Sequence, residues 1–272
     1  MRAVAAFDFD GTLVERDSLL PFLQRVCGTA AVARALAIES PRLARLAAGG
    51  GDRDLFKARL FGRLLAGRRV VDLDQVVSDY AAHVTARRVR SDMLEVVAWH
   101  RREGHELVIV SASPELYLAP IGRLLDFDAV LGTRLEVDDD GRLTGRLAGR
   151  NVRGAEKVAR LRAHLGEGPI RLWAYGDSAG DRELLALADV ATRVSRRRQP
   201  RPRSPAEPVA DGGGPPATSP PGPSTLHQPQ NLGCPILRAF AKGGMYAARR
   251  HSFSSLPINK KGPSFRPEPF GS

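Results

Sequence analysis

Cysteine is scarce in this chain: Cys27 and Cys234 are the only two among 272 residues. That excludes a disulfide framework and a thiolate metal cluster, and it fits a reducing compartment. Aromatic residues are few, at 6%. Long apolar runs are missing: no stretch approaches the roughly 18–20 residues that a membrane-spanning helix needs. The opening Met1-Arg-Ala-Val-Ala-Ala-Phe-Asp8 holds an apolar run too short for a signal peptide, and acids interrupt it at once. No internal repeat is visible. The expectation is a cytoplasmic protein without a membrane span. Its length suits one large domain, or a core with an insertion.

Acidic residues are also outnumbered, leaving a net charge of +11. The imbalance is local. Residues 195–272 carry 12 Lys and Arg against three acids, so +9 sits there and only +2 on residues 1–194. Fifteen of the 20 prolines lie beyond Val194 as well. Gly212-Gly-Gly-Pro-Pro216 and Ser219-Pro-Pro-Gly-Pro223 have no periodicity, and such a segment cannot bury enough apolar surface to offset its ordering entropy. Residues 195–272 are therefore expected to form a Pro/Arg-rich disordered tail, either appended to the fold or foreign to it. Only 233–250 contain a short amphipathic stretch. A basic tail raises the idea of a nucleic-acid or anionic-surface binder. Its aromatics, Phe240, Tyr246, Phe253, Phe265 and Phe270, are scattered among prolines instead of interleaved with an ordered basic face, which argues against that partner.

The first 194 residues alternate between two periodicities. Residues 2–9 contain a short apolar run that ends in Asp8, the mark of a buried strand. Residues 17–88 read as helical throughout, with Leu, Ala and Val at three- and four-residue spacing and breaks near Gly28, Pro41, Gly49-Gly50-Gly51 and Gly67. A helix over 91–103 stops at Gly104, and a buried strand follows at 106–110. Pro114 stands where a helix would open, with Ser113 as its N-cap. A hairpin spans 133–148 around Asp139-Asp140-Gly141. A helix at 154–165, a strand at 171–175, a helix from about 180 and a strand at 190–194 complete the pattern. Strands alternating with helices predict an α/β fold, a doubly wound, Rossmann-like parallel sheet. Its core would comprise 1–15 and 89–194. Residues 16–88 are too many for a crossover and predict a small all-helical cap inserted after the first strand.

Four clusters carry chemistry. Asp8-Phe-Asp10-Gly-Thr12 puts two carboxylates past the first strand, at the end where open α/β sheets bind ligands. One carboxylate can attack phosphorus, and the other can protonate the leaving oxygen and later activate water. Ser111-Ala-Ser113-Pro-Glu115 offers a hydroxyl and free amides where a helix begins, an anion site. Arg153-Gly-Ala-Glu-Lys157 supplies two cations one turn apart, either of which could face a phosphate. Gly176-Asp177-Ser-Ala-Gly-Asp181 adds two acids suited to a hard divalent cation. Each cluster alone has a structural explanation as a turn, a cap or a solvated helix face. In order, at the ends of successive strands, they point to an enzyme.

Asp8-Phe-Asp-Gly-Thr-Leu13, Val110-Ser-Ala-Ser-Pro-Glu115, Asn151 to Lys157 and Gly176 to Asp181 resemble the four motifs of the haloacid dehalogenase-like hydrolase superfamily, in its phosphoserine-phosphatase-like branch. The resemblance covers about residues 3–194. It implies Asp8 as nucleophile and Asp10 as acid and base. It implies Mg²⁺ held by Asp8, Asp10 and Asp177 with Asp181 in support, and a phosphoryl group held by Thr12, Ser111, Ala112 and Lys157. An acid at Asp10 argues against the dehalogenase members, whose leaving group needs no proton. In the cap, Asp17 resembles the acidic position that meets a substrate ammonium, and Phe56 and Arg63 have the spacing of the branch's cap Phe and Arg. Gly180 departs from the Asn of many relatives.

The implied reaction is Mg²⁺-dependent hydrolysis of a small phosphomonoester such as phosphoserine, phosphocholine or phosphoethanolamine, through an aspartyl-phosphate. Two rivals remain at the level of sequence. One is transfer of the phosphoryl group to a hydroxyl acceptor instead of water. The other is a catalytically impaired relative whose basic tail binds nucleic acid or an anionic surface.

Overall fold

A computed structural model describes residues 1–195. The expected tail lies outside the described residues, apart from Ser195. Five parallel strands form the central sheet: β1 (Arg2–Phe7), β2 (Glu106–Pro114), β3 (Ala129–Thr133), β6 (Ile170–Gly176) and β7 (Val190–Arg193). Their order is β3-β2-β1-β6-β7. From β1 the chain winds outward to β2 and β3, then returns to the other side of β1 for β6 and β7. The winding therefore reverses between β1 and β6, which opens a crevice at the carboxyl ends of those two strands.

The strands are apolar on both faces because both faces are covered. Val4, Ala6, Val108, Val110, Leu172 and Ala174 form one core with helices α8 (Ala155–Leu165) and α9 (Arg182–Leu187). Phe7, Ile109, Trp173 and Tyr175 face the other side, where α6 (Ser91–Arg102) and α7 (Glu115–Leu124) cover them. Phe7 pairs with Ile109 on β2 and with Tyr175 on β6. By extension of that register, Asp8 stands level with Val110 and Gly176.

Between β1 and α6 the chain forms α1 (Leu19–Cys27), α2 (Thr29–Ile38), α3 (Ser40–Ala47), α4 (Arg53–Leu64), a 3₁₀ turn at Val70–Leu73, and α5 (Asp74–Arg87). The expected breaks fall at the observed joints: Gly28 separates α1 from α2, and Gly49 to Gly51 separate α3 from α4. α5 packs against α7, while α4 packs on β5 (Leu143–Leu147) of a separate two-stranded sheet.

Two expectations need correction. β2 does not stop at 110 but runs on, past an irregularity in register, to Pro114. α7 accordingly starts at Glu115, and Pro114, not Ser113, takes its N-cap position. The expected hairpin is present as β4 (Leu135–Val137) with β5 (Leu143–Leu147), and Asp138 Oδ1 accepts the amides of Asp140 and Arg142 to organise the turn through Asp139-Asp140-Gly141. β3 was not expected as a strand at all. Among the described residues no helix is long and apolar enough to cross a membrane.

Candidate active site

Asp8 follows the last residue of β1, where its amide still donates to Tyr175 O at 2.9 Å. The ladder thus fixes the backbone, and the side chain projects from the sheet edge into the crevice. Lys157 comes up from the first turn of α8 to meet it. Lys157 Nζ lies 2.6 Å from Asp8 Oδ1 and 2.6 Å from Asp181 Oδ1, and the lysine is buried. Burial alone would lower the ammonium's pKa, but the two carboxylates outweigh it and hold it above its ordinary value. Burial pushes Asp8 up to about 6 despite Lys157.

Asp10 is held by a different set of groups. Ser18 N donates to its Oδ1 at 2.8 Å, and Ser113 Oγ donates to its Oδ2. Behind these, Ser18 Oγ lies 2.8 Å from Tyr117 Oη, and Tyr80 Oη donates to Ser18 O at 2.6 Å. Burial, aided by the charge of Asp17, pushes Asp10 up to about 7, against the hydrogen bonds from Ser113 and Ser18. A carboxyl group in that range can donate a proton near neutrality and take it back.

Asp177 and Asp181 follow β6. Asp181 is fully engaged: Oδ1 meets Lys157, and Oδ2 accepts from Ser178 N at 2.9 Å and Ser178 Oγ at 2.7 Å. Asp177 is not, since its Oδ1 is buried with no hydrogen-bond partner. It is crowded against the first cluster, because a Cβ on Gly11 would stand 2.2 Å from Asp177 Oδ2. Gly11 also has φ +83°. Only glycine satisfies both the turn and the carboxylate's approach. Oxygens of Asp8, Asp177 and Asp181 lie within 4.8 Å of one another. Burial, then the charge of Asp181, raises Asp177. Close carboxylates with one orphaned buried oxygen fit a hard divalent cation.

Asp8, Asp10, Asp17, Ser111, Ala112, Lys157, Asp177 and Asp181 all line one cavity of about 420 Å³. Arg153 lines it too, at the opening of α8. Its side chain lies across Gly180, where a Cβ would stand 3.0 Å from Arg153 Nε. The Gly that departs from the usual Asn is thus the space the arginine occupies. Asp17 also has a structural task, accepting the Leu19 and Leu20 amides at the start of α1. Thr12 is buried outside the cavity lining, with its hydroxyl unpartnered.

Two cap residues part company. Phe56 lines an adjoining cavity together with Asp17. Arg63 does not reach either. Its Nε lies 2.8 Å from Glu39 Oε1, and it lines another cavity with Cys27, Arg34 and Arg68. The cation that α4 does send to the site is Lys57, which the sequence reading missed. Lys57 Nζ donates to Ala112 O and, at 3.2 Å, to Asn151 Oδ1. Burial lowers it to about 8, against the charges of Asp10, Asp17 and Asp54. Asn151 Nδ2 in turn donates to Asp54 Oδ1 at 2.7 Å, and Thr133 Oγ1 lies 2.9 Å from Asn151 Oδ1. This network ties α4 to β2, to the end of β3 and to the loop before α8.

The chain is similar to known proteins in sequence and in fold. Protein CicA of Caulobacter vibrioides is 38% identical over 186 residues, covering 68% of this chain and 83% of its own. A histidinol-phosphatase of Neisseria meningitidis is 27% identical over 203 residues, 72% of this chain and 91% of its own. The crystal structure of a protein of unknown function from Bordetella pertussis matches with a TM-score of 0.60 and 27% identity, over 68% of this chain and 86% of that one. A family model described as haloacid dehalogenase-like hydrolase matches residues 5–186, from the middle of β1 almost to the end of α9 and across every acid of the cavity. On that span the chain belongs to the haloacid dehalogenase-like hydrolases.

Proposed function

We propose that this hydrolase is an Mg²⁺-dependent phosphatase that cleaves a small phosphomonoester through an aspartyl-phosphate on Asp8. One observation carries the reading. A carboxylate nucleophile, a carboxyl group poised near neutrality and a buried ammonium face a single cavity at the point where the sheet's winding reverses. Asp8, Asp177 and the Asp10 carbonyl would hold Mg²⁺, with Asp181 orienting Lys157 and the Ser178 loop. The ion would offset negative charge on the transferring phosphoryl oxygens.

The chain's own groups divide the rest. A carboxylate oxygen of Asp8 attacks phosphorus, and the bond from phosphorus to the alcohol oxygen breaks. Asp10 gives its proton to that departing oxygen. Asp10 then takes a proton from water as the water attacks the phosphorus of the aspartyl-phosphate, which restores both residues. Lys157 keeps Asp8 ionised and in place, and Ser111 with the Ala112 amide offers donors to the phosphoryl oxygens. Residues 16–88 serve as the cap over the crevice. The similarity to a histidinol-phosphatase supports a phosphate ester as substrate.

The test is a phosphomonoester panel assayed with Mg²⁺ and with chelator, on wild type and Asp8→Asn. Activity should need the metal and fall at least about a thousandfold in the variant, whose melting temperature stays within a few degrees. More than a few per cent of wild-type activity in Asp8→Asn would remove Asp8 as nucleophile.

A further inference from the structure

The cavity that holds Asp8 and Asp10 does not end at its charged residues. A second cavity of about 430 Å³ adjoins it, and Asp17, Leu19, Lys57, Ala112 and Arg153 line both. Beyond that common wall the lining changes character. It consists of Leu43, Leu46 and Ala47 from α3, Phe56 and Leu60 from α4, and Asn151. The one polar member, Asn151, is already occupied, by Lys57 and Thr133 at its oxygen and by Asp54 at its nitrogen.

α3 is unusual among the helices. It buries none of its residues, and Leu43 is 44% exposed. Positions 43, 46 and 47 nevertheless follow the three- and four-residue spacing that gathers side chains on one face. An amphipathic helix whose apolar face borders an open cavity is a surface awaiting an occupant. The continuity of this lobe with the phosphoryl site points to the substrate itself. Charge stands only where the two cavities meet, so the far end can reward only apolar atoms.

We propose that the lobe between α3 and α4 receives an apolar arm of the substrate's leaving group. The substrate is then an amphipathic phosphomonoester. Its phosphate sits at Asp8 and Lys157, its polar middle lies level with Asp17, Lys57 and Arg153, and its hydrocarbon lies against Leu43, Leu46 and Phe56. A wholly polar leaving group such as serine would leave those side chains in water. The inference rests on the phosphatase reading above and narrows it to a class of ester.

The experiment measures kcat/KM for methyl, butyl and hexyl phosphate, and for phosphoserine, with full-length wild type and the L43Q/L46Q variant. A buried methylene is worth roughly threefold to fourfold, so the five additional methylenes should raise kcat/KM roughly two-hundredfold to a thousandfold from methyl to hexyl phosphate. Hexyl phosphate should also exceed phosphoserine. In L43Q/L46Q the rise should shrink to less than about tenfold. A wild-type series that stays flat while methyl and p-nitrophenyl phosphates are hydrolysed assigns the lobe to another occupant and overturns the inference alone. A rise that the variant keeps in full overturns it too, by moving the apolar contact elsewhere. If no ester, p-nitrophenyl phosphate included, is hydrolysed, the phosphatase reading falls and the inference with it. Should the variant fail to fold, the wild-type series decides by itself.

Discussion

Phe56 and Arg63 show how a spacing can be right and an assignment wrong. Seven residues bring a helix back almost to the same face, so the pair reads as one contact surface. The same seven residues also advance about 10 Å along the axis. Phe56 therefore reaches the crevice, while Arg63 lies two turns further on and meets Glu39, a buried acid it shares with Arg42. Lys57, next to Phe56, is the α4 cation at the site. We expect Lys57→Met to lower kcat/KM by roughly ten- to a hundredfold, the worth of one or two charge-assisted hydrogen bonds. Arg63→Ala should instead lower the melting temperature and leave KM within about twofold. The converse pattern, with Arg63 controlling KM and Lys57 silent, would restore the sequence-based assignment. Lys57 was hidden because a lysine on a helix is ordinarily solvated. Nothing in its neighbours announces that Ala112 O and Asn151 will close over it.

The elements that sequence revealed are those whose code is local. β1, β2 and β6 are continuous apolar runs ending in chemistry-bearing residues, and both of their faces are buried, so burial and periodicity agree. β3 is short and contains Gly132, which a strand pattern reads as a break. That glycine answers a long-range demand, because a Cβ there would stand 2.9 Å from the backbone of Glu115 at the start of α7. Ser113 failed in the same way. A serine before Pro-Glu looks like an N-cap, but the strand continues beneath it and its hydroxyl turns to Asp10. A cap residue and a positioning residue predict different losses. Ser113→Ala should cost α7 little stability, since no side-chain cap is removed, yet reduce kcat about tenfold for alkyl phosphates and less for p-nitrophenyl phosphate, whose leaving group needs little protonation. Equal losses for both esters, or a clear drop in melting temperature with unchanged kcat, would return Ser113 to a purely structural role.

The stability of the described chain as a whole should depend on a group far from the chemistry. His100 of α6 is fully buried beneath the sheet, with Nε2 2.8 Å from Tyr175 Oη and Nδ1 2.7 Å from His105 Nδ1. Phe7, Trp99, Trp173 and Tyr175 surround it at ring distances of 4.5–5.9 Å. Burial, helped by His105, pushes its pKa down to about 3 from the ordinary 6.5. The sign follows from proton counting. Between pH 6.5 and 3 the unfolded chain binds a proton at this position and the folded chain does not, so stability falls as pH falls through that window. The slope approaches about 1.4 kcal/mol per pH unit for one such histidine. Asp8 and Asp10, raised in the fold, act in the opposite sense over their own windows. They are common to any His100 variant and cancel in a comparison. His100→Gln keeps a side chain able to bond the Tyr175 hydroxyl but cannot titrate. Urea unfolding of both proteins in chelator, from pH 4.5 to 7.5, should show the variant weaker at pH 7.5, with the gap closing by several tenths to about 1.4 kcal/mol for each unit of acidification below 6. A gap that does not change with pH would mean that His100 takes its proton without unfolding, and that the acid sensitivity of this fold lies elsewhere.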